Sequence, residues 1–98
     1  MKTIKKIQIT PVFCEDDIPA NPSDYQQNTV YISKAIDKIG MNCICGCPGL
    51  VIIPVNKTPE GWQLTVNDGK ITLIGSIANQ PCGAHYVITD NIATLLGE

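Results

Sequence analysis

Four cysteines and the chain's single histidine stand in two short stretches whose spacing suits metal binding. Cys43, Cys45 and Cys47 lie in MNCICGCPGL, and Cys82 and His85 lie in QPCGAHYVI. Glycine and proline alternate with these residues, so the backbone can turn tightly and direct amides toward sulfur. Zn²⁺ prefers four tetrahedral sulfur and nitrogen ligands. The pattern predicts one zinc ion, held by Cys82, His85 and two cysteines of the first stretch.

The cysteines also allow interpretations other than zinc binding. Cysteine is often a core residue, but thiols between glycine and proline in turns are not typical of packing residues. Cys14 follows Val12 and Phe13 without a neighbouring ligand, so we interpret it as a core or surface thiol. Five candidate ligands for four positions leave one spare, and a spare thiolate could act as a nucleophile.

Ser76 is the candidate catalytic residue. As a nucleophile it needs a base, which His85 or another group would supply. A zinc-bound water is an alternative nucleophile, but the metal motifs have no Glu or Asp beside them to act as its base. His85 is the only imidazole, so it cannot be both a buried ligand and a free base. The structural alternative is a Ser76 hydroxyl that satisfies a turn backbone.

Composition narrows the function classes. The 98 residues predict a single domain, 1–98, and the net charge is −2. All seven basic residues are lysines, so no arginine fork can grip phosphate or guanine, and we expect no nucleic-acid partner. The N-terminal stretch lacks a signal-peptide core and no segment reaches the ~20 apolar residues of a membrane span. These features predict a cytoplasmic protein that does not bind membranes.

Strand patterns dominate the chain that must position these residues. TIKKIQITP, TVYIS and LVIIPV predict strands, the last one buried, with Pro54 at a sheet edge. GWQLTVNDGKITLIGS and HYVITDNIATLL predict two hairpins. SKAIDKIG predicts about two helical turns, capped by Ser33 and closed by Gly40. The expected fold is a small, mostly antiparallel β domain with two hairpins, at most one short helix, and zinc as a stabiliser.

The order of these motifs resembles a small bacterial and phage family of unknown function, whose members are sometimes mislabelled as ammonia monooxygenase. The shared pattern is NTVYIS, CICGC, VIIPV, GWQL and KITLIGSIANQPCGAHYVI, and it covers roughly residues 8–96. Some relatives lie in operons with ubiquitin-like proteins and their conjugating enzymes, where they are suspected peptidases. The resemblance therefore implies a ubiquitin-like protein as partner and a bacterial or host-cell cytoplasm as location.

Residue by residue, the match is incomplete. The cysteines of both motifs, His85, Trp62, Leu64, Ser76, Ile77 and Asn79 agree with the family pattern. The family's His before the first cysteine is Met41 here, and its Ser before the second His is Ala84. The stretch around Ser76 also departs: Gly75 replaces Pro, Ala78 replaces Gly, and a second Trp is missing.

Two functions follow as expectations. The departures favour a small binding module for a protein partner, in which a structural zinc site supplies folding energy. The alternative is a peptidase that processes a ubiquitin-like protein, with zinc-bound water or Ser76 as its nucleophile.

Overall fold

Nine strands make up the fold of the computed structural model. It describes residues 2–44, 46, 49–79 and 84–97, with side chains for 5–44, 46, 49–78 and 85–96. The strands are β1 (Lys2–Gln8), β2 (Thr10–Cys14), β3 (Thr29–Ser33), β4 (Lys38–Asn42), β5 (Leu50–Pro54), β6 (Gln63–Asn67), β7 (Lys70–Asn79), β8 (Ala84–Thr89) and β9 (Ile92–Gly97). The described chain contains one 3₁₀ turn, Pro22–Asp24, and none of its helical segments is long and apolar enough to cross a membrane.

The strands form two sheets. One sheet has five strands in the order β1-β9-β8-β7-β6, and the other has four in the order β2-β3-β4-β5. All pairs are antiparallel except β2 with β3, which run parallel. The chain changes sheets at Ile9, which lies between β1 and β2 and is 1% exposed. The prediction of a mostly antiparallel β fold is confirmed.

A single main core joins the two sheets. Val30, Ile39 and Met41 from the four-stranded sheet pack in one cluster with Leu73 and Tyr86 from the five-stranded sheet. Alternate residues of a strand point to opposite faces, so strands such as β4 and β8 turn one apolar row toward this core. Across it, the Tyr86 hydroxyl lies 3.9 Å from Met41 Sδ. The face of the five-stranded sheet turned away from this core is called the outer face below.

Both predicted hairpins are confirmed, and their turns explain them. β6 and β7 are joined by Asp68 and Gly69, with φ angles of 53° and 74°. β8 and β9 are joined by Asp90 and Asn91, with φ angles of 47° and 65°. Two successive residues with positive φ are the requirement of a type I′ turn, for which Asn, Asp and Gly are the favoured residues.

The predicted helix over SKAIDKIG is wrong. Ser33 ends β3 and Lys38 begins β4, so the segment is a hairpin with Asp37 at a φ of 49°. Ser33 Oγ does accept a hydrogen bond from the Ile36 amide at 3.2 Å, as a cap would, but the chain then turns back. Ile39 and Met41 are both fully buried, a spacing of two that fits a strand. Burial in the sandwich core outweighs the weak local helix preference.

β5 is less buried than its apolar run predicts. It is an edge strand, as expected from Pro54, and its Ile52 side chain is 51% exposed. Only Ile53 of this strand is buried, because one face of β5 and its free edge lie away from the core.

Candidate functional site

Ser76 lies on an irregular part of β7. Leu73 pairs with Ile88, but the next aligned pair is Ile77 with Tyr86. Four steps along β7 therefore span two steps along β8, so β7 carries two extra residues between these pairs. Ser76 is exposed, whereas the Ile77 side chain is buried in the core. A bulge of this kind leaves backbone groups outside the ladder and redirects a side chain.

Trp62 and Gly75 hold this irregular segment in place. The indole Nε1 of Trp62 donates a hydrogen bond to the Ser76 carbonyl oxygen at 3.1 Å. Gly75 has a φ of 116°, and a Cβ atom there would come within 2.8 Å of Trp62 Cδ1. Trp62 also packs against the main core. The ring can therefore lie against the backbone beside Ser76 only because residue 75 has no side chain.

His85 lies on the neighbouring strand and the same face. It pairs with Ala78 of β7, two residues beyond Ser76. Tyr86 is fully buried in the core and Ala78 is exposed, so alternation places His85, which is half-buried, with Ala78 on the outer face. In a regular sheet such a diagonal pair is roughly 7–8 Å apart. The described contacts include no hydrogen bond between Ser76 Oγ and His85.

A cavity of about 260 Å³ adjoins Ser76. Its walls are Glu60, Gly61 and Trp62 from the loop before β6, together with Gly75 and Ser76 of β7. Ser76 thus borders a concave surface of the kind that can hold a ligand group.

The structure bears on the alternative interpretation of Ser76, in which its hydroxyl satisfies a turn backbone. Ser76 lies within a strand, not in a turn, and its main-chain oxygen accepts the hydrogen bond from Trp62. Its Oγ satisfies no backbone group among the described residues.

The predicted metal ligands are described only in part. Cys45, Cys47 and Cys82 lie outside the described residues. Cys43 is 0% exposed, its amide donates to Gly49 O at 2.7 Å, and its carbonyl oxygen accepts from Gly46 N at 3.0 Å. These two hydrogen bonds bring Gly46 and Gly49 close to Cys43. No group of three or more His, Cys, Asp or Glu that could hold a metal occurs within the described part of the chain, and the zinc site stays a prediction.

Met41 does not lie on the face that carries Ser76. It is completely buried in β4 and contacts Tyr86 across the core. The replacement of the family's His by Met41 therefore removes no polar group from the outer face around Ser76. Cys14, read from the sequence as a core or surface thiol, is half-buried against a small second cluster formed by Ile18, Tyr25 and Tyr31.

Sequence reasoning missed Glu60 and Gly61 entirely, because the loop between β5 and β6 carries no motif. It also used Trp62 only to match the hairpin. Gly75 next to Ser76 was the available signal, since a glycine inside a strand often marks a bulge or a close approach of another group.

Comparison with known proteins now bears on the two expected functions. The family model described as bacterial ubiquitination-like system serine protease (BubE) matches residues 15–96. No curated protein and no solved structure matches the chain. The expected zinc-based binding module is therefore wrong as the main function, because the family is described as a protease. The binding module was expected because Met41 and Ala84 differ from the family pattern, but Met41 is buried in the core, away from the face that carries Ser76. The chain belongs to the family of bacterial ubiquitination-like system serine proteases (BubE).

Proposed function

We propose that this chain is a serine peptidase that cleaves a ubiquitin-like protein from a precursor or a conjugate, with Ser76 as nucleophile and His85 as its base. The family description supports the reaction class and the kind of substrate. The observation that carries the residue assignment is the position of Ser76 and His85 on one face of neighbouring strands. His85 is also the only imidazole in the chain.

The reaction follows from these two groups. Ser76 Oγ attacks the carbonyl carbon of the scissile amide while its proton passes to the His85 imidazole. The tetrahedral intermediate collapses, the C–N bond breaks, and the leaving amine takes the proton from His85. A water molecule then attacks the acyl-serine and gives its proton to His85, and the acid leaves as Ser76 recovers the proton. Substrate binding must bring the two groups closer, as apo sites often have loose catalytic contacts.

The irregular segment of β7 offers a means to stabilise the intermediate. Two extra residues between Leu73 and Ile77 leave backbone groups of this segment outside the pairing with β8. Backbone N–H groups beside a nucleophile are suitable donors for an oxyanion, because they are fixed before the reaction starts. We assign this role to the backbone of Gly75 and Ser76.

Zinc remains a proposal about stability. Cys43 lies in the core, whereas His85 belongs to the outer face of the sheet that borders that core. Because the core and the outer face lie on opposite sides of the sheet, we infer that a bound zinc ion would use Cys43, Cys45, Cys47 and Cys82 rather than His85. Four thiolates complete a closed tetrahedral site, which supplies folding energy. This ligand set leaves His85 available as the base.

Cleavage of a ubiquitin-like precursor, followed by mass spectrometry, tests the proposed function. We expect Ser76→Ala to lower the rate by a factor of at least about 10³, because the covalent step is lost. Ser23→Ala, at an exposed serine of the 3₁₀ turn, is the matched control and should keep full activity. A fluorophosphonate probe should add its mass at Ser76 in the wild type. Cleavage that persists in Ser76→Ala would show that another group is the nucleophile.

A further inference from the structure

The cavity beside Ser76 has the size of a subsite for one side chain. Its volume of about 260 Å³ is below the roughly 300–1,000 Å³ of clefts that hold drug-sized ligands. Gly61 and Gly75 contribute no side-chain bulk to its walls, and the Trp62 ring lies against Gly75.

The cavity also has a definite electrostatic character. Glu60 is the one ionisable group among its lining residues, and Trp62 is the one aromatic group. A carboxylate attracts a cation, and an indole face attracts a cation within about 6 Å of its centre. The alkyl stem of such a ligand would pack on the ring while its charged end stays near water and carboxylate. An anionic or purely apolar group would bind this cavity less tightly.

The loop that carries Glu60 is held in shape before any ligand binds. Asn56 donates its amide to the Trp62 carbonyl oxygen at 2.9 Å and accepts the Leu64 amide at its side-chain oxygen at 3.0 Å. Gln63 Nε2 donates to Thr58 O at 2.6 Å, and the Gly61 amide donates to Thr58 Oγ1 at 3.1 Å. A fixed loop lowers the entropy cost of ordering a binding site.

We propose that this cavity is a specificity subsite for a lysine or arginine side chain that flanks the scissile bond of the substrate. The cation lies near the Glu60 carboxylate, and its alkyl stem packs on the Trp62 ring. The assignment of the subsite to cleavage rests on the proposed role of Ser76, whereas binding of the cation does not.

Trp62 is the only tryptophan, so its fluorescence reports on the cavity directly. Nα-acetyl-lysine methylamide is titrated at low ionic strength against the norleucine counterpart, which lacks the charge. We expect saturable binding of the lysine probe and about two- to fivefold weaker binding in Glu60→Gln. Asp68→Asn removes the same charge from the remote β6–β7 turn and should leave binding unchanged. Equal binding of both probes, or no effect of Glu60→Gln, would overturn the subsite.

A cleavage assay distinguishes failure of the subsite from failure of the proposed function. Precursors with Lys or norleucine at the positions that flank the scissile bond are compared in wild type and Glu60→Gln. The lysine preference should appear in KM, should shrink about two- to fivefold in Glu60→Gln, and should leave kcat nearly unchanged. Ser76-dependent cleavage without any lysine preference would refute the subsite and keep the peptidase. Lysine binding together with cleavage that persists in Ser76→Ala would keep the subsite and refute Ser76 as the nucleophile.

Discussion

At the scale of single residues, Gly75 is the position that makes the site possible. Its φ of 116° lies in a region that favours glycine, and the space where a Cβ would stand is taken by the Trp62 ring. The hydrogen bond from Trp62 to the Ser76 carbonyl oxygen then fixes the backbone next to the hydroxyl. One glycine thus links the packing of the only tryptophan to the placement of the proposed nucleophile.

Gly75→Ala should therefore destabilise the fold. We expect a loss of about 2–4 kcal/mol in the free energy of unfolding, because backbone strain and overpacking add together. Urea denaturation followed by Trp62 fluorescence measures it. Gly69→Ala is the matched control: its φ of 74° is also positive, but among the described residues no atom beyond its chain neighbours lies within 4 Å of the added Cβ, so about 1–2 kcal/mol is expected. Equal losses in the two variants would contradict the Trp62 contact.

At the scale of elements, the long loop between β2 and β3 is attached to the four-stranded sheet by Tyr25. The Tyr25 hydroxyl donates to Pro19 O at 2.6 Å, its carbonyl oxygen accepts from Asn42 Nδ2 at 2.7 Å, and its ring meets Tyr31 edge-on at 5.0 Å between centroids. Burial raises the pKa of Tyr25 above its ordinary value of 10.0, and the negative charge of Asp17 adds to this effect.

This shift predicts a loss of stability at alkaline pH. A raised pKa means that the folded state keeps the proton longer than the unfolded state, so the contribution is complete below pH 10.0 and falls as pH rises toward the folded pKa. Tyr25→Phe should cost about 1 kcal/mol at neutral pH through its lost hydrogen bond, and this deficit should shrink above about pH 10. Denaturation curves at both pH values give the comparison. If the free energy of unfolding fell equally in wild type and Tyr25→Phe as the pH rises, the shift at Tyr25 would not be the cause of the alkaline loss of stability.

At the scale of the whole molecule, two sheets share one core, and this core includes Cys43 of the first predicted metal turn. Cys43 belongs to that core and follows β4, while Cys82 precedes β8 in the sequence. An ion that joined these turns would connect the four-stranded sheet to the five-stranded sheet. A domain of 98 residues has a modest core, so such a connection would matter for its stability.

We expect about one zinc ion per chain in protein purified without a polyhistidine tag. Elemental analysis measures the content, and chelation in mild acid should abolish the near-ultraviolet signal of Trp62 because the domain unfolds. Cys82→Ser should lose the metal, whereas Cys14→Ser and His85→Gln should keep it. Loss of zinc from His85→Gln would restore the histidine to the ligand set and remove it as the base. Folded protein without metal would refute zinc altogether.

The sequence by itself determined the local elements of this protein. Alternating apolar residues around Asp68-Gly69 and Asp90-Asn91 define the two hairpins, because strand period and turn conformation depend on near neighbours. The same local reasoning failed over Ser33–Gly40, where pairing with β5 and burial in the core convert a weak helix signal into a hairpin.

Tertiary structure decided which residues meet. The cysteine and histidine spacing predicts one shared metal site; Cys45, Cys47 and Cys82 lie outside the described residues, and the site stays a prediction. The register between β7 and β8 brings His85 to the face of Ser76, and the space at Gly75 admits Trp62 beside it. Glu60 reaches the same cavity from a loop with no motif. These contacts depend on strand register and packing between distant segments, which residue spacing along the chain does not encode.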